Sequence, residues 1–268
     1  MRALYLMKNV KSVLKKMISQ VRFFRSIMLL GIILSISCNA NDRDSNAPTN
    51  TLELLASYNI DVQEPSGLTI DVTGTVLYTV SDNTGAIYKL STQGNLLEVF
   101  ELNGDDLEGV STFTENKLLL AEEESRQIVE YKMNTGTISR HTIDFESNGE
   151  NSGIEGVSYK ENDESIFILN EKDPGKLIRL STDFSIIAEY DLNFASDYSG
   201  IFYDSSLDNL WILSDQSKSL NRCTLTGVLI ERYPININKA EGVAITNNEI
   251  FIVSDQESKL YAFKKPQV

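Results

Sequence analysis

Eight acidic side chains recur at two fixed places along this 268-residue chain. Glu108, Glu155 and Glu241 each stand immediately before a glycine (Gly109, Gly156, Gly242), and Ser66 and Ser199 stand the same way before Gly67 and Gly200. Twelve to fourteen residues after each of these five glycines comes Ser81, Ala121, Asn170, Ser214 or Ser254, and the next residue is always an acid: Asp82, Glu122, Glu171, Asp215 or Asp255. Carboxylate oxygens are hard donors. Gathered in one place they suit a hard cation, Ca²⁺ above all, which takes six to eight oxygens from carboxylates, carbonyls and water. A carboxylate beside such a cation can also serve as a general base in hydrolysis. Left unpaired at close range, like charges oppose ionisation and take up protons. An acid that returns in every repeat has a structural reading too, as an acceptor of backbone N–H or hydroxyl hydrogen bonds at a joint between units. Both readings stand on the residues alone.

The elements that must position these groups come from the same repeat. The five glycines are spaced 42, 47, 44 and 42 residues apart, a period that marks a repeat architecture. Within each repeat "TVLYTV", "KLLLA", "SIFILN", "LWILS" and "IFIVS" have the β-branched and aromatic content and the length of strands. Turn residues such as "DVTGT", "ENDES" and "TNNE" bound them. A third strand follows in each repeat, and a fourth, more amphipathic one follows in the first four: "NLLEVFEL", "TISRHTIDF", "SIIAEYDL" and "VLIERYPI". Four antiparallel strands per unit predict an all-β, five-bladed β-propeller over residues 51–265. The fifth repeat stops after three strands. "LELLASYNI", residues 52–60, resembles the other fourth strands and is expected to complete the last blade.

In such a blade the residue that begins the first strand and the residue that ends the second return to the same end of the hairpin. Five blades would therefore bring the eight carboxylates, with the hydroxyls of Ser66 and Ser199, to one mouth of the central channel. Glu108, Glu155 and Glu241 are the stronger metal-ligand candidates, because serine replaces them in two repeats and the fold does not demand them. The single histidine, His141, falls in a predicted outer strand away from the ring. A histidine-ligated zinc or a Ser-His-Asp relay cannot be assembled at the channel, and no phosphate-cradling glycine loop is present. Tyr198, Phe202, Tyr203 and Trp211 cluster in the fourth repeat and read mainly as core.

The first fifty residues have another character. Residues 1–25 contain seven basic residues and no acid, and the apolar run "SIMLLGIILSI" follows at 26–36. That order describes an export signal over residues 1–37, with translation starting at Met1 or Met17. The apolar run is about half the length a spanning helix needs. "SISC" at 35–38 resembles a bacterial lipobox, with Ser35 where leucine is usual, and predicts lipidation of Cys38; cleavage after Ala40 is the competing reading. Residues 38–50 then form a flexible polar tether with a reach of roughly 20 Å. Without residues 1–37 the chain keeps 17 basic residues against 38 acidic ones, a balance of −21. So acidic a body argues against nucleic acid and anionic lipid as partners and is compatible with cations or cationic ligands. Cys223 would be the one cysteine left, so no intramolecular disulfide is expected.

The stretches "EPSGL", "SDNTGAIYKLSTQGN", "DLEGVS", "LLLAEEESRQIVEY", "IEGVSY" and "NEKDP" resemble the SdiA-regulated (YjiK-like) β-propeller family of bacterial envelope proteins. The resemblance covers the chain after the tether. It implies a membrane-associated propeller and assigns no reaction. More distantly the repeat is similar to calcium-dependent lactonase propellers, which share channel-mouth carboxylates but usually have six blades. The expected function is a monomeric recognition module of the cell envelope, tethered through Cys38, with a small-molecule or protein ligand and Ca²⁺ at the channel mouth. The alternative is a cation-dependent hydrolase of lactones, esters or phosphoesters using the same carboxylates.

Overall fold

The structure is a computed structural model that describes residues 50–146 and 153–267. The export signal, Cys38 and the tether up to residue 49 lie outside the described residues. No helix among the described residues is long and apolar enough to cross a membrane.

The described residues form five sheets of four antiparallel strands. Blade 1 holds β2 (Pro65–Ile70), β3 (Val76–Ser81), β4 (Ala86–Ser91) and β5 (Leu96–Glu101). Blade 2 holds β6 (Leu107–Thr114), β7 (Lys117–Glu122), β8 (Gln127–Lys132) and β9 (Thr137–Thr142). Blade 3 is built from β10 (Ile154–Lys160), β11 (Ser165–Asn170), β12 (Lys176–Leu180) and β13 (Ile186–Asp191). Blade 4 is built from β14 (Gly200–Asp204), β15 (Asn209–Ser214), β16 (Ser219–Cys223) and β17 (Leu229–Pro234). Blade 5 takes β18 (Ala240–Ile245), β19 (Glu249–Ser254) and β20 (Lys259–Lys264) from the end of the chain, and β1 (Glu53–Asn59) from its other end. β1 pairs with β20 from Glu53–Lys264 to Asn59–Lys259. The expected closure is therefore present, and it ties the two ends of the propeller together without leaving a blade one strand short.

The inner strands touch in cyclic order, β2 to β6 to β10 to β14 to β18 and back to β2. What permits this approach is the marker glycine. A Cβ on Gly67 would stand 2.8 Å from the Gly109 Cα, and one on Gly109 would stand 2.9 Å from the Gly156 Cα. The contacts continue from Gly156 to Gly200, from Gly200 to Glu241 and Gly242, and from Gly242 back to Gly67. Gly67, Gly109, Gly200 and Gly242 are thus required by the backbone of the next blade, whereas Gly156 meets the Ile201 side chain first. The hydrophobic core is divided in the same cyclic way, into five clusters that each lie between consecutive blades. Trp211, with no exposed surface, fills the blade 4–5 cluster beside Tyr233, and Leu52 joins it just ahead of β1.

Adjacent inner strands are not laddered, so their N–H groups need other acceptors. Thr69 Oγ1 accepts from Thr112 N (3.3 Å), Ser111 Oγ from Tyr159 N (3.0 Å) and Ser158 Oγ from Tyr203 N (2.8 Å). Blades 4 and 5 place Phe202 and Ala244 at the matching position. Phe202 packs against both the blade 4–5 and the blade 5–1 clusters, reaching across the inner strand where Ala244 leaves room. His141 lies on the outer strand β9 and stacks on Phe184, with ring centroids 3.8 Å apart.

Candidate functional site

The mouth at which the inner strands begin is a cavity of about 430 Å³. Its walls carry Glu108, Glu155, Glu171, Asp215, Glu241 and Ser199 of the sequence-predicted ring, with Glu123, Asp106 and Asp197 beside them. Lys172, Lys239 and Arg126 supply the cationic part of the rim. Asp82 lines a neighbouring depression that it shares with Asp106. Asp255 faces Lys239, Glu64 and Asp215 at the edge of the same mouth. The predicted carboxylates therefore converge, with one exception.

The exception is Glu122. Register pairs Ser81 with Pro65, Asn170 with Ile154 and Ser254 with Ala240, and the residue doing the same in blade 2 is Glu122, opposite Leu107. Glu122 thus takes the place that serine or asparagine has elsewhere, and its side chain points away from the channel. There it is buried in a two-pronged pair with Arg140, with Nε to Oε2 and Nη2 to Oε1 both at 2.9 Å. Blades 1 and 5 use this position to fix the incoming chain: Ser81 Oγ donates to Gln63 O at 2.6 Å and Ser254 Oγ to Asn238 O at 2.5 Å. The residue that reaches the mouth in blade 2 is Glu123, one step along. Successive strand residues face opposite sides, so a one-residue slip in aligning "AEEE" exchanges a core ion pair for a channel acid.

A local device aims the pre-glycine acids. The strand ladder shifts between Leu107 and Gly109, between Ile154 and Gly156, and between Ala240 and Gly242. Glu108, Glu155 and Glu241 are the extra residues in those bulges. A bulged residue has no cross-strand partner and is free to turn its side chain out of the pleat, here toward the mouth. The serines at this position behave differently. Ser66 Oγ donates to Glu108 Oε2 (2.5 Å) and Glu108 O (3.1 Å), and Ser199 Oγ donates to Ala240 O (2.8 Å). Both hydroxyls join one blade to the next.

The result is a concentration of carboxyl groups in confined space. One carboxylate oxygen from each of Glu123, Glu155 and Glu171 can be chosen so that all three lie within 4.8 Å of one another, and the same holds for Asp82, Asp106 and Glu108. Burial pushes the Glu108 carboxyl up to about 8, with Asp82, Glu123 and Asp106 adding repulsion against the lowering effect of the Ser66 hydrogen bond. Burial also carries Glu241 up to about 8; Lys239, 3.7 Å away, opposes the rise, while Glu108, Asp215 and Asp255 add to it. Glu155 is held well above the usual carboxylate range, first by burial and then by Glu108, Glu123 and Glu171. Glu123 is raised by burial despite a hydrogen bond with Glu155, a contact that needs a shared proton. Not every acid is without a partner: Glu171 meets Lys172 Nζ at 2.5 Å and Asp215 meets Lys218 Nζ at 2.7 Å.

Sequence reasoning missed Glu123, Asp106 and Asp197. Asp106 and Asp197 lie just ahead of the first strand of their blades. Asp197 accepts from Ser214 Oγ and from Gln216 N (3.1 Å), so it braces its hairpin. Only the tripled glutamate at 122–124 carried a signal for Glu123.

A family model described as SdiA-regulated matches residues 53–264. Among solved structures, the glutaminyl cyclase of Myxococcus xanthus is 12% identical and superposes with a TM-score of 0.63, covering 81% of this chain and 97% of that one. A nidogen/laminin complex contains a chain that is 13% identical, with a TM-score of 0.54 and 74% of each chain covered. At these identities the likeness is one of fold.

Proposed function

The chain belongs to the SdiA-regulated family, and we propose that it is an exported recognition module, held at a membrane of the cell envelope by lipid on Cys38, whose channel mouth takes Ca²⁺ and through it a ligand. The observation that carries the cation is the group Glu123, Glu155 and Glu171, with Glu155 buried and the other two half-buried: three carboxylates from two neighbouring blades with oxygens within 4.8 Å of one another. Ca²⁺ takes six to eight oxygens at about 2.3–2.6 Å in a flexible arrangement, so carboxylate oxygens gathered this closely suit it. Burial first, and neighbouring acids after it, raise protonation at Glu155, Glu108 and Glu241, and a divalent cation would favour their ionised forms. The rim lysines Lys172 and Lys239 give an anionic group on the ligand something to meet above the cation.

Calorimetric titration of the full chain with CaCl₂ at neutral pH tests this reading. Saturable binding is expected, with a higher melting temperature in millimolar Ca²⁺ than in chelator, and both effects are expected to vanish in Glu155→Gln. A melting temperature indifferent to Ca²⁺ and chelator sinks it.

A hydrolytic reading has one observation in its favour. A glutamate raised to about 8, such as Glu241, has the proton affinity a general base needs at neutral pH. Turnover of an ester, lactone or phosphoester that requires Ca²⁺ and is lost in Glu241→Gln would favour it over recognition alone.

A further inference from the structure

The cavity at the mouth limits the chemistry of the molecule it takes. Among the described residues that line it, none has an aromatic or aliphatic side chain. Small-molecule pockets ordinarily draw most of their contact area from such side chains, so an acyl chain or an aromatic ring finds no surface here. The lining holds nine carboxyl groups against three cationic side chains. One divalent ion therefore leaves carboxyl groups that must stay protonated or meet a further positive charge.

Two places in the ring divide the work. Glu155 lines the cavity at 9% exposure, and among the described residues its side chain has a hydrogen bond only with another carboxyl, that of Glu123. That marks the junction of blades 2 and 3 as the seat of the ion. The inner strands follow one another round the channel as β2, β6, β10, β14 and β18, and in a ring of five the strand opposite the β6–β10 junction is β18. β18 carries Glu241, whose side chain is 14% exposed. Lys239 Nζ stands 3.7 Å from it, while Glu108, Asp215 and Asp255 all bear on it with the opposite charge. Across the channel from the ion there is thus a nearly buried carboxyl group outnumbered by acids, a seat for an ammonium group. A charge-assisted hydrogen bond made there, out of bulk water, is stronger than a neutral one.

We propose that the ligand of the mouth is a small hydrophilic zwitterion: its carboxylate completes the oxygen shell of a Ca²⁺ held by Glu123, Glu155 and Glu171, and its ammonium group donates to Glu241 on the opposite side of the channel. This rests on the Ca²⁺ reading of the mouth.

The test titrates the full chain, first with CaCl₂ and then, loaded with Ca²⁺, with the ω-amino acids from glycine to 6-aminohexanoate in a calorimeter. Each amino acid is run beside the carboxylic acid and the alkylamine of matching length. At least one member is expected to bind about tenfold or more tighter than both of its singly charged analogues, the worth of one charge-assisted hydrogen bond. Its advantage over the carboxylic acid is expected to disappear in Glu241→Gln, and its binding is expected to be lost in chelator. If Ca²⁺ binds but no member outbinds its analogues, this inference fails while the Ca²⁺ reading stands. Alkylamines that bind as tightly as the amino acids would make the ligand a simple cation and overturn it. An advantage that survives Glu241→Gln would place the ammonium group elsewhere and overturn the assignment to that residue. A chain that takes up no Ca²⁺ in the first titration loses the underlying reading, and this inference with it.

Discussion

Gly242 of the last blade faces Gly67 of the first so closely that a methyl group on Gly242 would stand 2.4 Å from the Gly67 carbonyl carbon. The contact joins the two ends of the repeat and closes the ring where β18 meets β2. Because the obstacle is backbone, no side-chain rotation relieves it. Gly242→Ala is expected to destabilise the propeller by at least the ~1–3 kcal/mol of ordinary overpacking. Urea unfolding at fixed Ca²⁺ measures this, and an unchanged midpoint would mean that the blades do not close as tightly as described.

Glu122 and Glu123 are neighbours in sequence with opposite assignments. Glu122→Gln breaks the pair with Arg140, which is one-third exposed, so a loss of about 1–3 kcal/mol is expected once solvent screening is allowed for. Its Ca²⁺ affinity should be unchanged. Glu123→Gln should leave stability in chelator nearly untouched and weaken Ca²⁺ binding by more than the about 10-fold that loss of an outer-shell partner costs. Paired unfolding and calorimetry on the two variants would expose an exchange of these effects.

The mouth carboxyls set a pH dependence of definite sign. Glu108 and Glu241 have folded-state values near 8, raised from an ordinary 4.5. Between those two values the folded state binds more protons than the unfolded one, so stability in chelator should fall as pH rises from about 4.5 to about 8. The depressed carboxyls Asp71, Asp204, Asp208 and Glu257 act in the opposite direction, below that window. Saturating Ca²⁺ should flatten the slope, because ligation favours the deprotonated carboxylates. Melting curves across this range, with and without Ca²⁺, would contradict the description if stability in chelator rose with pH.

Lys265, just past the last strand, is buried against Asp204 of blade 4, with Nζ and Oδ2 2.6 Å apart and each side chain 5% exposed. Trp211 Nε1 donates to the same carboxylate at 3.1 Å. Lys265→Met leaves Asp204 with a buried charge and should cost about 3–5 kcal/mol, seen as a lower urea midpoint. Asp204→Asn combined with Lys265→Met should recover part of the loss, because no charge is then left unpaired.

Fold was legible to the extent that it is written in local periodicity. The spacing of Gly67, Gly109, Gly156, Gly200 and Gly242 gave five units, and the amphipathic pattern of residues 52–60 matched a fourth strand because β1 keeps an exposed outer side, as β5 and β13 do. The site was legible only in part. Ser66 and Glu108 look interchangeable in sequence, yet the first joins blades and the second is buried among acids. Nothing in the chain around Glu108, Glu155 and Glu241 announces a bulge, since a bulge is an outcome of pairing between two strands.

The sequence by itself determined how many sheets there are, which strand closes them and where the glycines must be, because each follows from a pattern repeated along one chain. Tertiary structure alone decided which carboxyl groups share a cavity, and that Glu122 belongs to Arg140 while Glu123 belongs to the channel. The reason is physical. Side-chain direction depends on strand register and on a neighbouring blade, and the protonation of a carboxyl depends on charges brought near it from repeats some 40 residues away.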